Sequence, residues 1–216
     1  MKRTLVSLFV LAICFAAFPA MAAVTFGGSS TSGPLSSGLI GYTSTTTSAG
    51  VQGQSLKFGA VGTNEASFTS PASLAGGASK SMSLWLNASQ LRESEQDVAE
   101  FGADTMLGTF GIFLNSSNVI AAHLGGTGDF TSTIVPKLGI WAHVVLTYDS
   151  GLCSLYVNGQ LVATKSQTPN TGTTNFFFGQ HLVNAGIFFV GSIDDVCIYN
   201  RALSAAEVKF LYNATR

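Results

Sequence analysis

The residues of this 216-residue chain that most invite a chemical reading are Glu95, Asp97 and Glu100, in the run Glu95-Gln96-Asp97-Val98-Ala99-Glu100. Two carboxylates about 5–5.5 Å apart can cleave a glycosidic bond with retention, one attacking the sugar and the other acting as acid and base. A bulge in the strand would bring the two glutamates to one face. The setting argues otherwise. Glu93-Ser94-Glu95 upstream reads as a solvated loop. The run is therefore expected to be a charged loop, and the chain a non-enzyme.

Other chemistry is thinly spread. Asp194-Asp195 lies in an alternating apolar run, where neighbouring side chains face opposite ways. Asp194, helped by backbone carbonyls, could hold a structural Ca²⁺, which takes six to eight oxygens. His123, His143 and His181 are scattered without metal-ligand spacing, and Trp141 and His143 read as structural. Phe176-Phe177-Phe178 alternates, so Phe177 faces away from its neighbours. If that face is open, Phe177 and Phe188 could stack on a sugar ring, with Asp129, His181 and Asn184 at the rim. Gly125-Gly126-Thr127-Gly128 opens no helix and reads as a turn, not a phosphate cradle.

Short alternating runs separated by turn residues fill the chain from Leu39 to Tyr199, about thirteen strands with no helix-period segment between them. That pattern predicts two packed antiparallel sheets, an all-β fold. Asn158-Gly159 is a type I′ hairpin signal, and Asp149-Ser150-Gly151 predicts a second hairpin with a longer loop. Ser204-Ala205-Ala206-Glu207 is a capping box and predicts one short C-terminal helix.

Lys2 and Arg3, an apolar run from Leu5 to Phe18, and Ala20-Met21-Ala22 have the layout of a cleavable secretory signal. The run is shorter than the ~20 residues that span a bilayer. Residues 1–22 are thus expected to be removed, leaving 23–216 as one domain, secreted or periplasmic, without a membrane span. Charged residues are 10% of the chain and the net charge is −1, more acidic once Lys2 and Arg3 leave. No basic patch exists for nucleic acid. Cys14 would leave with the signal, and Cys153 and Cys197 could form one disulfide or stay as two buried thiols.

Three stretches together resemble a known family. They are Gln54-Ser55-Leu56-Lys57-Phe58; Trp141-Ala142-His143-Val144 running through Thr147-Tyr148-Asp149 to Leu155-Tyr156-Val157-Asn158-Gly159; and Phe189 through Ser204, with Glu207. In order and spacing they are similar to the laminin-G-like domains of the concanavalin A-like lectin and glucanase superfamily. The resemblance implies a two-sheet antiparallel jelly-roll sandwich and a role in binding a glycan or a cell-surface protein outside cells. Laminarinase-type glucanases of that superfamily carry an E-x-D-x-x-E motif like Glu95–Glu100, which makes a glycoside hydrolase the alternative. The resemblance also implies apolar residues between the acids, where this chain has Gln96, and several tryptophans lining the cleft, where it has only Trp85 and Trp141. An adhesive surface module is the third reading.

Overall fold

The computed structural model describes residues 25–26, 39–42, 46–51, 54–59, 66–69, 72–173, 175–184 and 186–215. The expected signal at 1–22 lies outside them. Among the described residues fifteen strands form two antiparallel sheets. The eight-stranded sheet runs β13 (Gln160–Ser166), β12 (Leu152–Val157), β11 (Ala142–Asp149), β6 (Lys80–Ala88), β15 (Gly191–Tyr199), β4 (Gln54–Phe58) and β3 (Thr46–Ala49), with β1 (Thr25–Phe26) paired to β15. The seven-stranded sheet runs β10 (Phe130–Thr131), β9 (Ile120–His123), β8 (Thr109–Leu114), β7 (Gln96–Gly102), β14 (Asn175–Phe178), β5 (Ala66–Thr69) and β2 (Leu39–Tyr42). This is the jelly-roll sandwich.

Alternation along the strands explains the packing. Met82, Leu84 and Leu86 of β6, Val144 and Leu146 of β11, and Ile193 and Ile198 of β15 face inward. They meet Val98 and Phe101 of β7, Phe110 and Ile112 of β8, and Phe176 and Phe178 of β14. Burying a side chain of this size contributes ~1.5–3 kcal/mol. The other face of the eight-stranded sheet is covered by α1 (Ala205–Thr215), whose Val208 and Leu211 pack on Val145, Tyr156, Cys197 and Tyr199. The capping box forms as the sequence predicts. Glu207 accepts from Ser204 N–H at 2.8 Å, and Ser204 Oγ accepts from Glu207 N–H at 3.3 Å. Trp85 Nε1–H donates to Thr215 Oγ1 at 2.9 Å and ties the end of α1 down.

Both hairpins of the eight-stranded sheet form. Asn158 and Gly159 take φ of 51° and 77°, the positive values of a I′ turn. The β11–β12 loop is shorter than expected: Asp149 pairs with Leu152, so only Ser150 and Gly151 turn the chain, at φ 47° and 88°. The strand expected at Ile187–Val190 is reduced to a bridge between Gln180 and Phe188. Cys153 and Cys197 are buried and are not joined by a disulfide. They occupy strands β12 and β15 with β11 and β6 between them, about 14 Å at ~4.8 Å per strand. They also belong to the packing on opposite faces. A disulfide needs Cα atoms within about 7 Å, so the pair does not bridge.

Candidate functional site

The outer face of the seven-stranded sheet carries one polar row. His123 pairs with Gly111, Gly111 with Glu100, and Glu100 with Phe177. The adjacent row is Ala121, Phe113 and Asp97. The two rows are two residues apart on β8 and β9 but three apart on β7. The register shift between Asp97 and Ala99 absorbs the extra residue. Strict alternation would send Asp97 to the face opposite Glu100; the bulge at Val98 puts both carboxylates on the same side. Gly111 permits the next contact. A Cβ there would lie 2.5 Å from Glu100 Cβ and 2.8 Å from the Ala99 carbonyl oxygen. With none present, Glu100 and His123 meet over β8.

His123 Nδ1 is 2.9 Å from Glu100 Oε2 and 3.7 Å from Asp97 Oδ1. Its Nε2 is 3.9 Å from Asp129 Oδ2. Asp129 is held by its other oxygen, which accepts from Leu124 and Gly125 N–H at 2.7 and 2.9 Å. Phe113 packs its ring 5.3 Å from that of His123. The segment after β14 closes over the group. Leu182 N–H donates to Glu100 Oε1 at 2.5 Å, Val183 N–H donates to His181 Nδ1 at 3.2 Å, and the His181 ring is 5.8 Å from that of His123. Asp97 and Glu100 are 1% exposed, His123 6% and His181 7%. One ligand-type atom from each of these four lies within 4.8 Å of all the others, so the group could hold a metal ion. Both Asp97 oxygens, Glu100 Oε2 and His123 Nδ1 make no aligned hydrogen bond.

Burial pushes the Asp97 carboxyl up to about 7, with the Glu100 charge adding to the effect and His123 opposing it. Burial works against a charged His123, but Asp97 and Glu100 outweigh it and raise the imidazole to about 11. Burial raises Glu95 as well, opposed by His123. Two carboxylates and an imidazolium thus share a space closed to water, where charges attract strongly and unpaired polar atoms are costly.

The expectation of a charged loop at 95–100 is corrected here. Only Glu93 and Ser94 are exposed, Glu95 is half-buried, and Gln96 to Glu100 form a fully buried strand. Gln96, which looked like a misplaced polar residue, donates its side-chain amide toward Gln90 O and Asn118 Oδ1 and accepts from Val190 N–H. Of the rim residues, Asp129 and His181 join the cluster, while Asn184 is exposed and caps Gly186 N–H at 2.9 Å. Phe177 is half-buried on the polar row. Phe188 is also half-buried, with the Arg92 guanidinium 4.0 Å from its ring centre. Asp194 sits on β15 in the other sheet, its oxygens accepting from Val51 and Asp195 N–H at 2.8 and 2.9 Å. His143 is buried beside Trp85, with Nε2 3.0 Å from Ser83 Oγ. Sequence reading passed over His123 and its pairing with His181, because residues on β9 and beyond β14 carry no common spacing.

The fold and this outer-face site define a jelly-roll domain. A laminin-G-type family model, described as concanavalin A-like lectin/glucanases superfamily, matches residues 59–209. The chain belongs to that superfamily. Among solved structures it is similar to the binding domain of Paraclostridial Mosquitocidal Protein 1, at 17% identity and TM-score 0.72, covering 88% of this chain and 51% of that one. It is also similar to domain 4 of AbnA, a GH43 extracellular arabinanase from Geobacillus stearothermophilus solved with arabinotriose. That match has 19% identity and TM-score 0.62, covering 79% of this chain and 82% of that one. A Trypanosoma rangeli sialidase matches at 21% identity and TM-score 0.58, covering 73% of this chain and 27% of that one. The chain thus spans about half the first of these proteins and about a quarter of the sialidase. These likenesses are of fold. No curated protein sequence matches the chain.

Proposed function

We propose that this chain is an exported, non-catalytic binding module whose ligand is a glycan, taken on the outer face of the seven-stranded sheet. The carrying observation is Phe177. It is a half-buried aromatic at the middle of that face, in register with Glu100 and flanked on the chain by the inward-facing Phe176 and Phe178. An aromatic ring left partly open beside a polar row offers a stacking platform with hydrogen-bonding groups at its edge. Phe188 and the exposed Asn184, on the segment that follows β14, extend the surface. The AbnA domain, bound to arabinotriose, supports this reading by its likeness over most of both chains.

The burial of the acidic group supports the non-catalytic reading. Glu100 is sealed under Leu182 and His123, so no sugar oxygen can reach it in this arrangement, and general acid–base work requires that reach. Export rests on the basic, apolar and Ala-x-Ala order of residues 2–22. Among the described residues no helix is long and apolar enough to cross a membrane.

The test is a glycan array followed by calorimetry with the best soluble oligosaccharide. Phe177→Ala should weaken binding about tenfold, the equivalent of ~1.4 kcal/mol. A hit that ignores both Phe177→Ala and Phe188→Ala would move the site elsewhere. An array without hits would favour a protein partner. Turnover of a β-glucan that disappears in Glu95→Gln would establish the hydrolase instead.

A further inference from the structure

We infer that Asp97, Glu100, His123 and His181 bind one divalent transition-metal ion of the zinc class, held closed beneath the segment that follows β14. The inference goes beyond the glycan-binding reading and does not rest on it. Three observations carry it.

The first is unmet bonding. Asp97 is 1% exposed, yet neither of its oxygens has a hydrogen-bond partner. Glu100 Oε2 and His123 Nδ1 meet as an ion pair at 2.9 Å, but without the alignment of a hydrogen bond. Leaving a buried carboxylate such as Asp97 without a hydrogen bond is strongly unfavourable, and a cation among these side chains, taking one atom from each, would relieve it.

The second is spacing. Bonds of about 2.0–2.1 Å in a tetrahedral site place ligand atoms about 3.3 Å apart. His123 Nδ1 stands 2.9 Å from Glu100 Oε2 and 3.7 Å from Asp97 Oδ1, on either side of that value. The whole four-atom set is confined within 4.8 Å.

The third is the support behind the ligands. A ligating histidine donates its other ring N–H to an oriented carboxylate or carbonyl. With Nδ1 toward the ion, His123 places Nε2 3.9 Å from Asp129 Oδ2, too long for a hydrogen bond but near enough for the Asp129 charge to favour that ring orientation. Asp129 is itself fixed by two backbone N–H groups on its other oxygen. Leu182 N–H plays the same part for Glu100.

The donor set selects the metal. Two imidazoles and two carboxylates suit zinc-like ions, whereas calcium requires six to eight oxygens. Four buried protein ligands leave no open position, which marks a structural rather than a catalytic centre. The ion would pin the segment carrying His181 to β7 and β9.

The experiment uses the untagged full chain, stripped with chelator and titrated with Co²⁺ alone, then with Zn²⁺. One Co²⁺ per chain should bind, with the strong visible d–d absorption of four-coordinate nitrogen and oxygen ligation. Zn²⁺ should displace it and raise Tm. Glu100→Gln should abolish the signal, and Asp129→Asn should weaken affinity about 10–100-fold. Stripped wild-type protein with native circular dichroism that takes up neither ion would overturn the site. So would wild-type affinity in Glu100→Gln. Both readouts are independent of any sugar, so this site and the glycan face can fail separately.

Discussion

His123 Nδ1 reaches to within 2.9 Å of Glu100 Oε2 across the whole width of strand β8, and it does so because the residue between them is Gly111. The pairing links three strands through a position that has no side chain. It also makes Gly111 a sensitive probe of the site.

Gly111→Ala places a Cβ against Glu100 Cβ and the Ala99 carbonyl, at 2.5 and 2.8 Å. Neither neighbour can swing away, since one is backbone and the other is a β-carbon. Overpacking of this kind costs about 1–3 kcal/mol. Urea unfolding should show a lowered midpoint with an unchanged m-value, and the variant should lose the Co²⁺ signal as well. An unaltered midpoint would show that the row is looser than its contacts indicate.

Acid should loosen the opposite side of the sandwich through His143. Burial alone pushes its imidazole down to about 3, against about 6.5 in an unfolded chain. Between those values the unfolded state binds a proton that the folded state refuses. Stability therefore falls as pH drops below about 6.5, approaching ~1.4 kcal/mol per pH unit for this group. Asp97, whose carboxyl is raised to about 7, runs the other way over the same range. The slope is therefore read from the difference in unfolding free energy between wild type and His143→Asn from pH 7 to pH 4, in which the Asp97 contribution cancels. That difference should follow the His143 slope, since the variant has nothing to titrate at this position.

Thr215→Val keeps the volume but removes the acceptor of the Trp85 indole N–H, a 2.9 Å bond in a buried place. An unmet buried donor costs about 1–3 kcal/mol. Hydrogen exchange should quicken across Ala205–Thr215 before it changes in β6. Equal protection in variant and wild type would mean that Val208 and Leu211 hold the helix without this bond.

Thiol labelling tests two expectations together. Cys153 and Cys197 are buried and not joined by a disulfide, and burial pushes the Cys153 thiol up to about 12. The native protein should react slowly with a thiol reagent. Denatured without reductant, secreted protein should show two thiols, or three if Cys14 is retained with residues 1–22. Fewer than two would restore a disulfide that the sheet order forbids.

Much of the fold was legible before any coordinates. Alternation revealed nearly every strand, because a half-buried sheet surface imposes a period of two on its own sequence. Asn158-Gly159 and Ser204–Glu207 were legible for the same local reason. A I′ turn needs residues that tolerate positive φ, and a capping box closes within four residues. Even the family was readable, from Phe189–Ser204 and the stretch around Trp141. The position of the Ile187–Val190 segment was not, since an apolar run becomes a strand only if a neighbour offers hydrogen bonds.

The site belongs to the tertiary structure. The run Glu95–Glu100 read as a charged loop because a sequence shows acids without showing what faces them. Burial of Asp97 and Glu100 depends on His123, which arrives on β9, and on His181 and Leu182, which arrive 58 and 59 residues after it. The Val98 bulge, which turns Asp97 to the side of Glu100, is a register shift against β8 and exists only between strands. Period, turns and caps are local physics and can be read from the chain alone. Which charges share a dry space is decided by contacts between distant strands, and only the folded sandwich brings those together.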